Sequence, residues 1–127
     1  MKEVQHVEKV QQNIVAVLAR IPVDSIEAAL PLYQQLAGTS DVHTFDFGRV
    51  RLAWVGPFLL LEGADAAVRS RSATIVVRNV DEVASAVQER GGELTEGPMP
   101  GPNGRRLIAR HADGNVIEYI ENAGGAH

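Results

Sequence analysis

The feature that most constrains this chain is that it repeats itself. By hydrophobic spacing, residues 13–62 read as strand, helix and three strands, and residues 72–121 read through the same order again. Residues 13–23 are rich in β-branched and aliphatic side chains and predict a strand. Asp24 or Ser25 offers an N-cap, Ile26, Ala29, Leu30, Tyr33 and Leu36 follow at helical spacing, and Gly38 supplies the stop. Pro31 falls inside this pattern, so it either occupies the opening turns or kinks the helix. Strands are predicted next at 42–47, 49–55 and 58–62, separated by Gly48 and by Gly56-Pro57. The second copy has a strand at 73–78 and a helix at 80–90, with Val80, Val83, Ala84 and Val87 on one face and Gly91-Gly92 at its end. A short strand at 93–96, a loop at 97–104 with three Pro and three Gly, a strand at 105–110, an Asp-Gly turn at 112–115 and a strand at 116–121 complete it. The copies match in detail: 18–36 follows the pattern of 72–90, and 51–62 parallels 107–121, an apolar strand closing on an acid.

A chain of 127 residues is one ordinary domain, 1–127, with module one at about 14–63 and module two at about 72–121. The residues before module one form a short N-terminal arm in which Val4, Val7 and Val10 recur every third position, a pattern for a short amphipathic helix or a docked arm. Residues 122–127 read as a flexible tail, and 63–71 as a linker of small and basic residues. Apolar residues reach 45% but aromatics only 5%, so aliphatic side chains must fill the core. A net charge of −4 argues against a nucleic-acid partner, which needs a cationic face. The absence of cysteine removes disulfides, thiolate zinc sites, iron–sulfur clusters and cysteine nucleophiles together. The longest nearly apolar run, 14–19, is far too short for a bilayer, and the N-terminus lacks a continuous secretory stretch. The expectation is a cytoplasmic protein with no membrane partner.

Two segments carry a resemblance. Residues 21–38, Ile-Pro-Val-Asp-Ser-Ile-Glu-Ala-Ala-Leu-Pro-Leu-Tyr-Gln-Gln-Leu-Ala-Gly, resemble the first strand-to-helix junction of the vicinal oxygen chelate superfamily. Residues 97–118, ending in Asp113-Gly114-Asn115-Val116-Ile117-Glu118, resemble its closing hairpin. That superfamily includes glyoxalase I, methylmalonyl-CoA epimerase, extradiol dioxygenases, fosfomycin-modifying enzymes and bleomycin-resistance proteins. The resemblance implies an α+β fold in which two pseudo-symmetric βαβββ modules curl a sheet into a cup, and it implies a homodimer. In the metal-using members, His and Glu ligands come from the first and last strands of each module. Counted onto this chain from its helix caps and turn glycines, those positions are Leu18, Leu60, Ser72 and Glu118. Leu cannot ligate a metal and Ser does so poorly, so no cofactor is expected; a divalent metal would need a different ligand set.

Side chains alternate along strands, so Leu18, Arg20 and Pro22 share one face, as do Ser72, Thr74 and Val76, and Val116, Glu118 and Ile120. If these faces line the cup, it is mostly apolar with Arg20, Ser72, Thr74 and Glu118 as polar points, a composition that suits a small-molecule ligand. Arg20 and Glu118 either pair with each other, or Arg20 holds an anionic or carbonyl group while Glu118 serves as acceptor or catalytic base. Trp54 offers a face for a planar ligand or simple core packing. His111 reads as a surface or turn residue before a ligand. His43 begins a strand from which it could approach the cup but is likewise a structural residue before a ligand, and Arg49, Arg51, Arg69 and Arg71 read as a solvated face or a contact for an acidic ligand. The loop at 97–104 is either a lid or a plain connection. The functional expectation is a glyoxalase/bleomycin-resistance-like protein with a metal-free small-molecule-binding cup. The alternative is an isomerase, lyase or dioxygenase of the same type using Glu118, with or without a divalent metal.

Overall fold

The computed structural model describes residues 12–121. The first repeat is β1 (Ile14–Val23), α1 (Ile26–Ala37), β2 (His43–Phe47), β3 (Val50–Val55) and β4 (Phe58–Glu62). A four-residue helix, α2 (Ala66–Arg69), leads to the second: β5 (Thr74–Val77), α3 (Val80–Glu89), β6 (Glu93–Gly101), β7 (Gly104–Arg110) and β8 (Val116–Glu121). The expectations for the N-terminal arm and the C-terminal tail lie outside the described residues. The duplicated α+β order is therefore as the sequence pattern predicts. Among the described residues, no helix is long and apolar enough to cross a membrane.

The strands form one eight-stranded sheet in the order β2-β3-β4-β1-β5-β8-β7-β6. Within each module the first strand runs parallel to the last: Arg20 pairs with Leu59 across β1 and β4, and Thr74 with Glu118 across β5 and β8. The two modules join within the chain through the antiparallel β1–β5 seam, where Leu18 opposes Thr74. The sheet curls until its outer strands approach. His43 Nε2 on β2 lies 3.0 Å from Asn103 Oδ1 in the β6–β7 turn.

Alternation sorts the apolar residues onto two faces. Leu18, Leu52, Leu59, Leu61 and Val76 pack together in one cluster, drawn from both modules. Ile26, Ala53, Val55 and Leu60 pack with Ile21, Val23 and Tyr33 around α1, and Val77, Val80, Leu107, Ala109 and Tyr119 pack with Val83 and Val87 around α3. Both helices start the same way. Ser25 Oγ accepts from Ala28 N, and Asn79 Oδ1 accepts from Asp81 N. The acid that closes each module then turns onto the helix of that module: Glu62 accepts from Ile26 N at 2.8 Å and Glu121 from Val80 N at 3.1 Å. Gly38 ends α1 in the left-handed region (φ 74°) with its N–H on the carbonyls of Gln34 and Gln35.

Pro31 lies in the second turn of α1, the first of its two expected places, and the helix runs on through it. Three local expectations are corrected. The linker at 63–71 contains α2, capped by Asp65 through its bond from Val68 N. Residues 97–104 are not a loop: β6 runs to Gly101 and β7 begins at Gly104. Proline is tolerated there because β6 is the edge strand, where a missing N–H removes nothing from the ladder, and its register slips twice beside these residues. Finally, Leu60 is not the counterpart of Glu118. Arg20 and Thr74 stand at equivalent places before the helix caps Ser25 and Asn79, so the residue that matches Glu118 is the partner of Arg20, which is Leu59. Leu60 packs under α1 instead.

Candidate functional site

The site stands where β1, β5, β8 and β7 lie side by side. Glu118 on β8 is buried, and both of its carboxylate oxygens are engaged. Oε1 accepts from Arg20 Nη1 at 3.0 Å and from Thr74 Oγ1 at 2.8 Å, and Oε2 lies 3.4 Å from Arg106 Nε. Arg20 reaches sideways from β1. Its Nη1 also meets Thr74 Oγ1 at 2.6 Å, and its Nη2 donates to the carbonyl of Val68 in α2 at 3.0 Å. The short helix thus presents a backbone acceptor to a buried guanidinium. Side-chain exposure is 4% for Arg20 and 9% for Glu118, so the pair is shielded from water. Burial pulls the Arg20 guanidinium below its ordinary pKa; Glu118 opposes this, and the like charges of Arg71 and Arg106 reinforce it.

Above this floor lies a cavity of about 470 Å³, within the range of small-molecule sites. Arg20, Arg71, Arg106, Glu96 and Glu118 supply its charge, and Phe47, Val50, Leu52 and Leu61 its apolar wall. Arg106 is the largest omission from the sequence reading. It lies on β7 with Leu107 between it and Ile108, and Ile108 pairs with Glu118. Alternation along 105–110, counted from the Glu118 face, places Arg106 on that same face, but the sequence reading assigns no faces to that strand. Glu96 closes the strand predicted at 93–96, to which that reading assigns no faces either, and Phe47 escapes because the curl of β2 toward the site is not legible in local spacing.

Of the sequence-predicted residues, the structure brings together Arg20, Thr74 and Glu118, with Arg71 and Arg49 on the cavity wall. It does not bring Trp54 or Ser72 to them. Trp54 packs beside Leu18, Leu52 and Leu59, donates its indole N–H to the carbonyl of Gly56 and borders a separate recess. Ser72 precedes β5, is exposed, and donates its backbone N–H to Val116 O. His111 sits 2.9 Å from the Tyr119 hydroxyl, whose pKa burial raises, and lines a groove beside α3. Arg51 pairs with Glu27 and Glu62, and Arg69 lines another recess.

The chain is similar to a solved protein of Methanosarcina mazei whose description is an uncharacterized protein, with 34% identity over 87% of this chain and 94% of that one and a TM-score of 0.79. The chain belongs to the same family as that protein. It is also similar in structure to methylmalonyl-CoA epimerase from Mycobacterium tuberculosis (17% identity, 90% of this chain and 92% of that one, TM-score 0.68). The Streptomyces coelicolor methylmalonyl-CoA epimerase, solved as a point variant in complex with 2-nitronate-propionyl-CoA, matches at 20% identity over 91% of this chain and 100% of that one, again with a TM-score of 0.68. The fold is thus the glyoxalase-like, vicinal oxygen chelate fold. No family model and no curated protein matches the chain.

That fold implies a divalent metal in its metal-using members, and the side chains at the corresponding places do not fit one. Leu18 and Leu59 are buried hydrocarbon, Ser72 is exposed and off the strand, and Glu118 already accepts from two guanidiniums and a hydroxyl. Among the described residues, no three His, Asp or Glu gather into a ligand set.

Proposed function

We propose that this protein binds a small organic molecule in its cup, in the manner of a glyoxalase/bleomycin-resistance-like binding protein, and that it does so without a divalent metal. The observation that carries the reading is the state of Glu118. In a metal site this carboxylate would present its oxygens to the ion; here they face Arg20, Thr74 and Arg106. Positive charge at the floor comes from guanidiniums that the chain itself supplies. The cavity above them is roomy, apolar on one wall and charged on the other, which is what orients a small ligand. The test is calorimetric titration of the chelated protein with Ni²⁺, Zn²⁺, Fe²⁺ and Mn²⁺. No stoichiometric site of micromolar affinity or better is expected. Such a site would overturn the metal-free reading and direct attention to Glu118 with a histidine.

A second reading is an isomerase that uses Glu118 as base. Two things favour it: Glu118 stands at the cavity floor, and solved proteins of this fold include methylmalonyl-CoA epimerases. For Glu118 to take a proton, an oxygen would have to leave Arg20 or Arg106, which costs the interaction it gives up. This reading predicts uptake of solvent deuterium at the α-carbon of methylmalonyl-CoA, abolished in a folded Glu118→Gln variant. No uptake would remove it for that substrate. The homodimer implied by the resemblance belongs with the same proposal, and light scattering that returned the mass of one chain would remove it.

A further inference from the structure

The charged side chains of the cup form a single alternating chain. Arg71 Nη2 lies 3.5 Å from Glu96 Oε2, Arg106 Nη1 3.1 Å from Glu96 Oε1, Arg106 Nε 3.4 Å from Glu118 Oε2, and Arg20 Nη1 3.0 Å from Glu118 Oε1. The chain begins and ends on a cation, so three guanidiniums share two carboxylates. The other charged residues around the cavity, Arg49 and Asp65, are exposed and offset one another. Buried charge requires counter-charge. One positive charge at this site has none among the lining residues.

The unpartnered polar atoms say where. The three buried side-chain atoms without a hydrogen-bond partner, among the described residues, are Arg20 Nε, Arg106 Nη2 and Asn103 Nδ2, and all three are donors. The site is therefore short of acceptors. Two of the three border the same place: Arg106 and Asn103 both line a recess of about 30 Å³ that adjoins the larger cavity. Arg106 itself is only 3% exposed. The ring of Phe47 lies over its guanidinium, with the central carbon 4.7 Å from the ring centroid. Phe47 ends β2, is 41% exposed, and lines both the recess and the cavity.

We propose that Arg106 anchors a small organic monocarboxylate in the cup, through the Nη2 edge that has no partner, with the Phe47 ring as its cover. This rests on the reading of the cup as a small-molecule site. A carboxylate supplies what the site lacks, one negative charge and two acceptor oxygens, in the planar geometry that a guanidinium fork matches. Glu96 holds Arg106 Nη1, but it is the more exposed partner, at 44%, and Arg71 stands beside it to keep its carboxylate when it yields. Val50, Leu52 and Leu61 receive the organic part.

The experiment uses 4-fluorobenzoate and its neutral amide, 4-fluorobenzamide, followed by fluorine NMR on the full chain. The acid is expected to bind saturably and at least tenfold more tightly than the amide. Arg106→Met should bring the acid down to the level of the amide. Glu96→Gln removes a competing carboxylate and leaves Arg106 in place; it should tighten the acid severalfold and widen its margin over the amide. It serves as the test if Arg106→Met does not fold. Phe47→Ala should speed both binding and release. Equal affinity for acid and amide in the cup would overturn the carboxylate anchor and leave the binding cup standing. So would an unchanged acid affinity in Arg106→Met or a weakened one in Glu96→Gln. Saturable binding of neither probe would overturn both.

Discussion

Glu118 is a single residue on which two buried cations depend. It neutralises Arg20 and shares Arg106 with Glu96, and its Oε1 also receives the Thr74 hydroxyl. Replacing it with the isosteric amide keeps the shape and removes the charge. Removing one partner of a buried pair typically costs about 3–5 kcal/mol, because the remaining charge is stranded. Glu118→Gln is accordingly expected to lower the unfolding free energy by about 3 kcal/mol in urea titrations. Because Glu118 links Arg20 to the rest, Arg20→Gln added to Glu118→Gln should cost less than the sum of the two single changes. Strict additivity would mean that the two side chains are not energetically a pair. This residue-level site is partly legible in the sequence. Alternation from the helix caps places Arg20, Thr74 and Glu118 on one face, because a two-residue period is enforced by backbone geometry. Counting from turn glycines leads to Leu60 where pairing leads to Leu59, because the Gly56 and Gly114 turns are not built alike: one lies between antiparallel neighbours two residues apart, the other in a longer connection. Arg106 is reachable by the same alternation, whereas its cover by Phe47 depends on the curl of the whole sheet.

At the scale of elements, α1 and α3 show the duplication in use. Each receives at its first N–H the carboxylate that ends its module, Glu62 on Ile26 and Glu121 on Val80. A negative charge at a helix N-terminus is favourable because it meets the positive end of the dipole and the free N–H groups together. Glu121→Gln is expected to cost about 1 kcal/mol of stability, in proportion to the lost charge rather than to lost packing. A change indistinguishable from zero would show that Asn79 suffices as the cap. Acid should expose a further contact on α3. Asp81 lies in its first turn and accepts two bonds from Arg105 on β7, at 3.0 and 3.1 Å, and these hold its carboxyl below the usual aspartate range. A depressed carboxylate binds fewer protons in the folded chain than in the unfolded one. Its contribution is therefore present above the ordinary aspartate value and is lost as the pH falls below about 4. The urea midpoints of wild type and Arg105→Gln should differ at pH 7, and the gap should narrow as the pH is taken below about 4. A gap that widened in acid would contradict this sign. The helices and central strands are legible because their caps, glycine stops and periodicities agree. The extension of β6 through Pro98 and Pro100 is not, because composition marks a loop and only edge position in the finished sheet makes strand tolerable there.

For the molecule as a whole, the decisive feature is that each module packs its own helix but the two share the interior of the cup. The cluster facing the cup takes Leu18, Leu52, Leu59 and Leu61 from module one and Val76 from module two. The β1–β5 seam pairs Leu18 with Thr74, and the ion network crosses the same seam through Arg20. Two modules that share a sheet, an apolar cluster and a set of buried charges cannot lose one without stranding the other. Unfolding is therefore expected to be a single transition despite the internal repeat. The fluorescence of Trp54, the one tryptophan, reports on module one, and far-UV circular dichroism reports on both. Their urea curves should coincide. The seam supplies the sharper test. Leu18 is 1% exposed, and Leu18→Ala should cost about 2–5 kcal/mol through lost contacts and the cavity left behind. If the modules are one cooperative unit, both probes shift by the same amount, although the substitution lies in module one. If the tryptophan curve moved alone, or the two midpoints separated, the repeats would be autonomous units that merely adjoin. A cup built across their seam would then lack the shared rigidity that its buried arginines require.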